Sequence, residues 1–451
     1  MEPNLSNMVS PVGSAMGCER GETTNRAEIA LGDRHSFFPV ENRGWRFFRW
    51  FTRTVLVPAT IAAAGISVPT SVSAVDHLSV LNYAPPGTQV DRTGVADSSR
   101  ALANAVSAAN AFTSQGQPAC VYFPPGIYRI VKAPPPFERA GCVIGDGPTQ
   151  SVIKIDEKLE GDLFSWSEAW FPTTPGPVIV GIKVLGSRTA VALQNAFVFY
   201  DRNDQVFMDN VDVFSLHGRA LYSGVTKFTP QAYMRESHMR SLRFFFDGAP
   251  GIPVVEFNSQ GTGNTDATNE VRMSQVDIFG ALGPSLVIRN NGTGRVRNIS
   301  IDALRIEGSE EGTTAGDLLT IGDPVMRGNV NNITLTALEL IDPSKGYAAL
   351  RLTAPEVAAA PYQIFVQGAI GGGVPAGKGL CIDAGRQSRF LFSGIHTFDT
   401  NVTIGRGVSW IVLEGNGLET EWSYKIDPTS AGALLLPVFR SWNPPAARAP
   451  N

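Results

Sequence analysis

The sequence predicts an all-β protein that folds as a single-stranded parallel β-helix, a solenoid with an N-terminal capping helix. Three observations favour this fold. A six-residue apolar pattern recurs about every thirty residues, each copy is followed by a glycine-containing loop and a second short strand, and helical periodicity is almost absent. Short strands repeated at one period are typical of a solenoid in which each repeat forms one coil.

The repeated pattern is an apolar residue, two variable residues, an apolar residue, one variable residue and a last apolar residue. Its six clear copies begin at Ile179, Met208, Met239, Met273, Ile301 and Leu335. Successive starts are 29, 31, 34, 28 and 34 residues apart, and a degraded copy spans residues 392–397. A β-propeller would need four antiparallel strands per blade joined by hairpin turns, and the sequence has neither feature.

The first 74 residues are predicted to be an N-terminal extension and signal peptide. Basic residues precede an apolar run over residues 54–68, and Val72-Ser73-Ala74 forms a small-x-small cleavage signal. The run is short for a membrane span and is broken by Pro58; an uncleaved anchor is the alternative. We therefore expect a secreted or periplasmic protein without a stable membrane span after cleavage, a β-helix domain over 75–436 and an irregular tail over 437–451.

The alanine-rich run over residues 101–112 predicts the capping helix. Residues 97–99 offer N-cap side chains, and Leu102, Val106 and Ala109 fall on one helical face. Such a helix would cover the open end of the first coil, which otherwise exposes core and strand edges.

Pro124, Pro125 and Gly126 separate two short apolar strands, 121–123 and 127–130. Because proline is excluded from central strands, this segment is interpreted as the corner between two strands of one coil.

Cys120 and Cys142 each precede an apolar strand start, 22 residues apart. If this distance is one short coil, they stack on adjacent strands about 4.8 Å apart, within reach of a disulfide. Two buried thiols are the alternative, and export from the cell favours the disulfide. Cys381 is expected to be unpaired.

The composition limits the possible partners. With 37 Lys and Arg against 41 Asp and Glu, the net charge is -4, which gives no electrostatic basis for binding nucleic acid. An anionic sugar would need a local basic patch.

Four pieces of the segment over residues 79–155 form a recognisable set, namely 91–97, the alanine-rich helix, 121–128 and 143–147. On these pieces the segment resembles the pectate-lyase-like (pectin lyase-like) β-helix superfamily. The resemblance implies a right-handed β-helix that handles a polysaccharide in a groove along one face. It transfers no catalytic residues, because the motifs of the polygalacturonase-like members are missing and Leu216-His217-Gly218 is only a fragment of one. The pectate lyases that depend on calcium cluster acidic residues near a basic one, and that arrangement is not assigned in this sequence. Whether calcium is a cofactor is therefore left open, and no metal ligands are predicted.

Aligning the coils places variable positions in columns on the surface of the solenoid. The position between the last two apolar residues alternates in charge, which predicts a mostly structural ladder of ion pairs. Its members are Lys183, Asp212, Arg243, Asp277, Arg305 and Glu339. Of these, Arg243 and Asp277 are also candidates for substrate binding.

Two further columns predict a basic cluster on the central coils. His238, Arg240 and Arg272 should lie close together, with Asp209 and Asp302 on either side. These five residues are the predicted catalytic group, with a solvated charge network as the alternative. Asp209 and Asp302 are three coils apart, roughly 14 Å, too far for a glycosidase pair. A base and a cation facing a uronate carboxylate favour lyase chemistry instead.

Other residues are candidates for contacts with sugars. Aromatic side chains could stack on sugar rings or fill the core, and this set comprises Trp166, Trp170, Phe171 and Tyr222. The insertion over 258–269 is a candidate groove wall. The Asn-x-Ser/Thr sites at Asn291, Asn298, Asn332 and Asn401 are interpreted as coil turns rather than glycosylation sites.

The sequence therefore predicts an exported enzyme that cleaves an extracellular polysaccharide or oligosaccharide, with a lyase favoured over a glycoside hydrolase. One alternative is a non-catalytic β-helix that binds glycan or forms a tailspike-like structure. The other is a sugar epimerase or glycan transferase that uses the same kind of groove.

Overall fold

The computed structural model describes residues 76–117, 119–138, 141–169, 176–224, 232–260, 267–308, 316–344, 346–371, 378–395, 400–405, 408–415 and 424–426. The predicted signal segment and C-terminal tail lie outside these residues. The described strands stack in parallel, coil on coil, through long ladders such as those around residues 207–214. The predicted parallel β-helix is confirmed.

The strands of the first coils are, in chain order, β1 (Asp76–Ser79), β2 (Thr93–Asp97), β3 (Ala119–Phe123), β4 (Gly126–Ile130), β5 (Cys142–Gly145), β6 (Ser151–Ile155), β7 (Gly161–Ala169), β8 (Val178–Leu185) and β9 (Gln194–Asp204). The central strands are β10 (Phe207–Phe214), β11 (Leu221–Gly224), β12 (Tyr233–Arg235), β13 (His238–Phe245), β14 (Val255–Ser259), β15 (Ala267–Phe279), β16 (Leu286–Asn290), β17 (Arg295–Glu307), β18 (Leu319–Gly322) and β19 (Asn329–Ile341). The last strands are β20 (Ala348–Thr353), β21 (Tyr362–Gly371), β22 (Lys378–Ile382), β23 (Arg386–Ile395), β24 (Thr400–Ile404), β25 (Ser409–Gly415) and β26 (Tyr424–Ile426). The helices are α1 (Ser99–Ser114) and two 3-10 turns, Val80–Tyr83 and Val357–Ala359.

Each central coil contributes to three stacks of strands. The first sheet carries the six-residue repeats and runs through β8, β10, β13 and the C-terminal halves of β15, β17 and β19. The second sheet stacks the following short strands, from β11 and β14 through β16, β18 and β20. The third sheet stacks β12 on the end of β9 and on the beginning of β15, and continues through β17 and β19.

The six-residue pattern has a backbone cause. Its third residue has a left-handed conformation in each of the six copies, with φ of 66° at Gly181 and 48–55° at the others. The other members of this column are Asn210, Ser241, Gln275, Ala303 and Ala337. The resulting bend returns the next apolar side chain to the core, so two variable residues can separate two buried ones.

The buried residues of the repeat stack directly on one another. Met208, Met239 and Met273 occupy paired positions on β10, β13 and β15, and all three are buried. Each fully buried apolar side chain of this size contributes about 1.5–3 kcal/mol. The core is therefore a column that continues from coil to coil, and it fixes which side chains face outward.

The first coils agree with the sequence prediction. Helix α1 buries Leu102, Val106 and Ala109, the face that was predicted to cover the first coil. The bend after β3 lies at Pro124 and Pro125, and the Pro125 carbonyl accepts a hydrogen bond from Arg92 Nε at 2.8 Å.

Cys120 and Cys142 form a disulfide, as predicted. They are paired residues of β3 and β5, with a Cα–Cα distance of 4.4 Å. Cys381 forms no disulfide and is buried.

Candidate functional site

A groove of about 540 Å³ crosses the outer face of the first sheet. Strand register explains its lining: Phe207, His238, Arg272 and Ser300 occupy one row across four adjacent coils. A second row brings Arg240, Ser274 and Asp302 together beside it. The structure therefore assembles His238, Arg240, Arg272 and Asp302 in one groove, whereas Asp209 lies outside its lining.

These side chains point outward because their neighbours are held in the core. Met239, between His238 and Arg240, is 2% exposed, and Met273, after Arg272, is 3% exposed. Alternation along a strand then directs the intervening polar residues to solvent.

The two arginines of the groove differ in their partners. Arg240 Nη2 binds Asp209 Oδ2 at 2.7 Å, and this hydrogen bond and charge raise the pKa of Arg240. Its guanidinium also lies 5.9 Å from the Phe207 ring centre. Arg272 is exposed and has no hydrogen-bond or ion-pair partner among the residues that the structure describes. Arg272 is thus the cation that can accept a ligand carboxylate without first losing a protein partner.

The carboxylate at the other end of the groove also has a partner. Asp302 Oδ1 accepts a hydrogen bond from Thr336 Oγ1 at 2.7 Å. Asp209 forms the ion pair with Arg240 described above. The strand register places Asp209 and Asp302 three coils apart, as predicted, so these two carboxylates do not form a glycosidase pair.

The predicted charge ladder forms in two separate parts on the same face, because Asp277 has no ion-pair partner among the described residues. Asp212, 1% exposed at its side chain, lies between Lys183 at 3.9 Å and Arg243 at 2.6 Å. Arg305 Nε lies 3.5 Å from Glu339 Oε2. Arg243 is therefore held by Asp212, and its assignment to substrate binding stays a prediction. Asp277 lies one coil from Arg243 and faces a second depression.

Tyr222 does not join the groove, because it lies on β11 of the second sheet. Its ring packs against the Arg219 guanidinium at 4.6 Å, and burial raises its pKa. Trp166 is fully buried and stacks between Phe137 and Phe199, at 5.1 and 5.0 Å, so it fills the core.

A buried charge network on the second sheet was not predicted. Glu256, 0% exposed, accepts hydrogen bonds from Arg219 Nε at 2.7 Å and from Arg289 Nε at 2.9 Å. Arg289 also reaches Asp323 at 3.2 Å. In the sequence, only the charged and polar residues between the apolar positions of the second strands could have indicated this network. Because these ion pairs join residues of adjacent coils, the network holds the coils together.

Several predicted features lie outside the described residues. These are Trp170, Phe171 and positions 261–266 of the insertion predicted as a groove wall. No group of three or more His, Cys, Asp or Glu residues in the described ranges is arranged to hold a metal ion. Across the same ranges, no helix has both the length and the apolar character that crossing a membrane requires.

Comparison with known proteins identifies one family. Residues 88–215 match the family model described as "Rhamnogalacturonase A/epimerase, pectate lyase-like". Among curated proteins, no sequence match is found.

Solved structures with a similar chain path share little sequence. Geobacillus virus E2 ORF18 is 10% identical with a TM-score of 0.49, covering 77% of this chain and 58% of its own. The A-module of Azotobacter vinelandii mannuronan C-5 epimerase AlgE6 is 14% identical with a TM-score of 0.44, covering 79% of this chain and 97% of its own. A mutant tailspike protein of E. coli bacteriophage HK620 is 12% identical with a TM-score of 0.43, covering 79% and 67%.

The chain thus spans a little over half the length of the viral protein. The family match and the parallel β-helix formed by the described coils agree with the resemblance found in the sequence. Over residues 88–215, the chain is similar to the pectate-lyase-like family.

Proposed function

We propose that this protein is an exported enzyme that binds an acidic polysaccharide across the first sheet and cleaves it by lyase chemistry. The single observation that carries the proposal is that Arg272, which has no partner among the described residues, lies beside His238 in one groove. A carbohydrate-acting or carbohydrate-binding β-helix is the coarser statement that the family match supports.

Arg272 would bind the carboxylate of a uronic acid residue. Its guanidinium offers paired N–H donors that match a carboxylate, and Ser300 on the next coil offers a hydroxyl beside it. As the proton next to the carboxylate is removed, negative charge moves onto the carboxylate oxygens. A fixed cation at that position stabilises the charge more in the transition state than in the bound sugar.

His238 is the proposed base, since it is the paired residue of Arg272 one coil away, about 4.8 Å between strands. Neutral imidazole would take the proton from the sugar carbon next to the carboxylate. The electrons of that C–H bond form a carbon–carbon double bond as the bond to the glycosidic oxygen breaks. The departing oxygen takes a proton from solvent, which balances the reaction.

Arg240 and Asp302 would define the limits of this subsite. Asp209 keeps Arg240 in place through the 2.7 Å ion pair, so Asp209 acts as a positioning residue. Asp302 can accept a hydrogen bond from a sugar hydroxyl on the side away from His238.

The test uses the full chain with a panel of acidic and neutral polysaccharides, with and without a chelator. Ultraviolet absorbance of unsaturated ends and the number of reducing ends are followed together. Unsaturated ends are expected from an acidic polysaccharide, and Arg272→Ala should lower their rate by about 100-fold or more. Arg327→Ala is the control, because Arg327 is 76% exposed at its side chain and lies outside the groove.

Full activity of Arg272→Ala would contradict the site. Reducing ends without unsaturation would replace the lyase by a hydrolase. Binding without any new ends would favour the glycan-binding or tailspike-like alternative, and a change of sugar configuration without cleavage would favour an epimerase. The chelator arm tests calcium directly.

Export is part of the proposal and has its own test. Sequencing the N-terminus of the protein recovered outside the cytoplasm should find a start at Val75. Recovery of an uncleaved, membrane-bound chain would instead support the anchor.

A further inference from the structure

A second depression of about 310 Å³ lies on the first sheet beside the groove. Asp277, Arg305 and Glu339 form one wall on three adjacent coils, and Ala303 and Ala337 lie at its base. The two depressions are adjacent, since Ser274 and Asp302 line the first while Gln275 and Ala303, the next residues, line the second.

Ala303 and Ala337 are unexpected at their positions. Both have left-handed backbones, with φ of 53° and 48°. Glycine and asparagine adopt this conformation most readily, and they occupy the same column at Gly181 and Asn210. Alanine adopts the left-handed conformation less readily than glycine or asparagine, but its small side chain leaves the space between Asp277 and Glu339 open.

The charges of this depression differ from those of the groove. Arg305 Nη2 binds Glu307 at 2.7 Å, and its Nε lies 3.5 Å from Glu339. Asp277 has no hydrogen-bond or ion-pair partner within the described part of the chain. The lining holds one guanidinium and two carboxylates, which gives a local negative charge that repels an anionic sugar. The carboxylate oxygens can accept hydrogen bonds from sugar hydroxyl groups.

We propose that this depression is a second glycan subsite that binds the hydroxyl groups of an uncharged sugar residue. The inference rests on the proposed function, since it extends the same glycan from Arg272 towards Glu339. Asp277 and Glu339 accept hydrogen bonds from ring hydroxyls, Arg305 donates to a ring or hydroxyl oxygen, and the alanine methyl groups contact the sugar face.

Methyl NMR of the full chain labelled at alanine and methionine tests this subsite. The probes are the methyl glycosides of glucose, galactose, mannose and rhamnose, with glucuronate and galacturonate as acidic counterparts. At least one neutral glycoside should shift the methyl signals of Ala303 and Ala337 in a saturable way. Each uronate should bind there at least about tenfold more weakly than the neutral sugar of the same ring configuration.

Substitution by asparagine separates binding from folding. Ala303→Asn should fill the depression and abolish the shift at Ala337, while the melting temperature stays equal or rises because asparagine suits the left-handed backbone. Ser215→Asn is the matched control, since Ser215 also has a left-handed backbone (φ 60°) and does not line the depression. It should leave the Ala337 shift unchanged.

The outcomes for the two proposals are distinguishable, because Met273 lines the groove and not the second depression. Uronate shifts at Met273 without any neutral-sugar shift at Ala303 and Ala337 would overturn the second subsite alone. Equal binding of uronates and neutral sugars at the alanines would also overturn it. Neutral-sugar shifts at the alanines with no uronate response at Met273 would leave the subsite standing and contradict uronate binding at Arg272.

Discussion

Arg243 binds both carboxylate oxygens of Asp212 across one coil, with Nε–Oδ1 at 2.7 Å and Nη2–Oδ2 at 2.6 Å. The Asp212 side chain is almost fully buried, and its ion-pair partners are Arg243 and Lys183. Asp212→Ala should lower the free energy of unfolding by about 1.5–3 kcal/mol, because it removes charged hydrogen bonds from a buried position. Denaturant unfolding measures this loss.

Glu339→Gln provides the comparison for that prediction. Glu339 is 53% exposed at its side chain and lies 3.5 Å from Arg305, so the loss should stay within about 0–1 kcal/mol. Equal effects of the two substitutions would show that burial does not govern the strength of this ladder.

Asp247 is expected to make stability depend on pH. Its carboxyl group is fully buried, and burial raises its pKa well above 3.8 despite the hydrogen bond that it accepts from the Leu216 amide at 2.7 Å. The folded state therefore binds this proton more tightly than the unfolded state does. The stabilisation is complete below pH 3.8 and decreases as the pH rises towards the folded-state pKa.

Asp247→Asn should remove this dependence. The amide cannot ionise and its oxygen can still accept the Leu216 hydrogen bond. The melting temperature of the variant relative to the wild type should increase between pH 4 and pH 8. A constant difference across that range would contradict a raised pKa at Asp247.

The disulfide between Cys120 and Cys142 should stabilise the first coils. Closing a loop with a sequence separation of 22 residues limits the unfolded chain and contributes about 3 kcal/mol. Replacing both cysteines by serine should therefore lower the unfolding midpoint, and a reducing agent should lower it in the wild type only. Cys381→Ser gives the control for loss of a thiol without loss of the bridge.

Asn298 is expected to be critical for one corner of the solenoid. It has a φ of 54°, its Nδ2 donates to Asn269 Oδ1 at 2.6 Å, and its Oδ1 accepts a hydrogen bond from Asn332. Asn298→Val should cost about 1–2 kcal/mol more than Asn298→Gly, because only valine strains the left-handed backbone. Thermal unfolding of the two variants tests this order, and equal midpoints would contradict it.

The sequence predicted the features that depend on local spacing. The six-residue repeat placed the coils, and because coils stack in register it also placed His238 next to Arg272 and Asp212 next to Arg243. The two cysteines were predicted in the same way. Of the four Asn-x-Ser/Thr sites interpreted as coil turns, Asn298 and Asn332 occupy left-handed corners and Asn291 follows the end of β16. Asn401 lies within β24, so the interpretation was wrong there.

Features that depend on three-dimensional contacts could not be predicted. The sequence did not indicate that Trp166 lies in the core rather than in a groove, because both environments suit an aromatic ring. Glu256 and Arg289 come from coils whose second strands were located only by their apolar residues. The open space above Ala303 and Ala337 depends on which neighbouring side chains reach over it, and strand spacing does not determine this.

The coil-by-coil stacking also bears on how such a protein can change in length. Paired residues on neighbouring coils are separated by one repeat, for example 31 positions from Phe207 to His238 and 28 from Arg272 to Ser300. Since each coil contacts mainly its two neighbours, stability is close to a sum of adjacent interactions. Duplicating one whole coil would lengthen core and groove together while leaving every existing pair intact. The length of the groove can therefore increase one coil at a time, by internal duplication of the sequence.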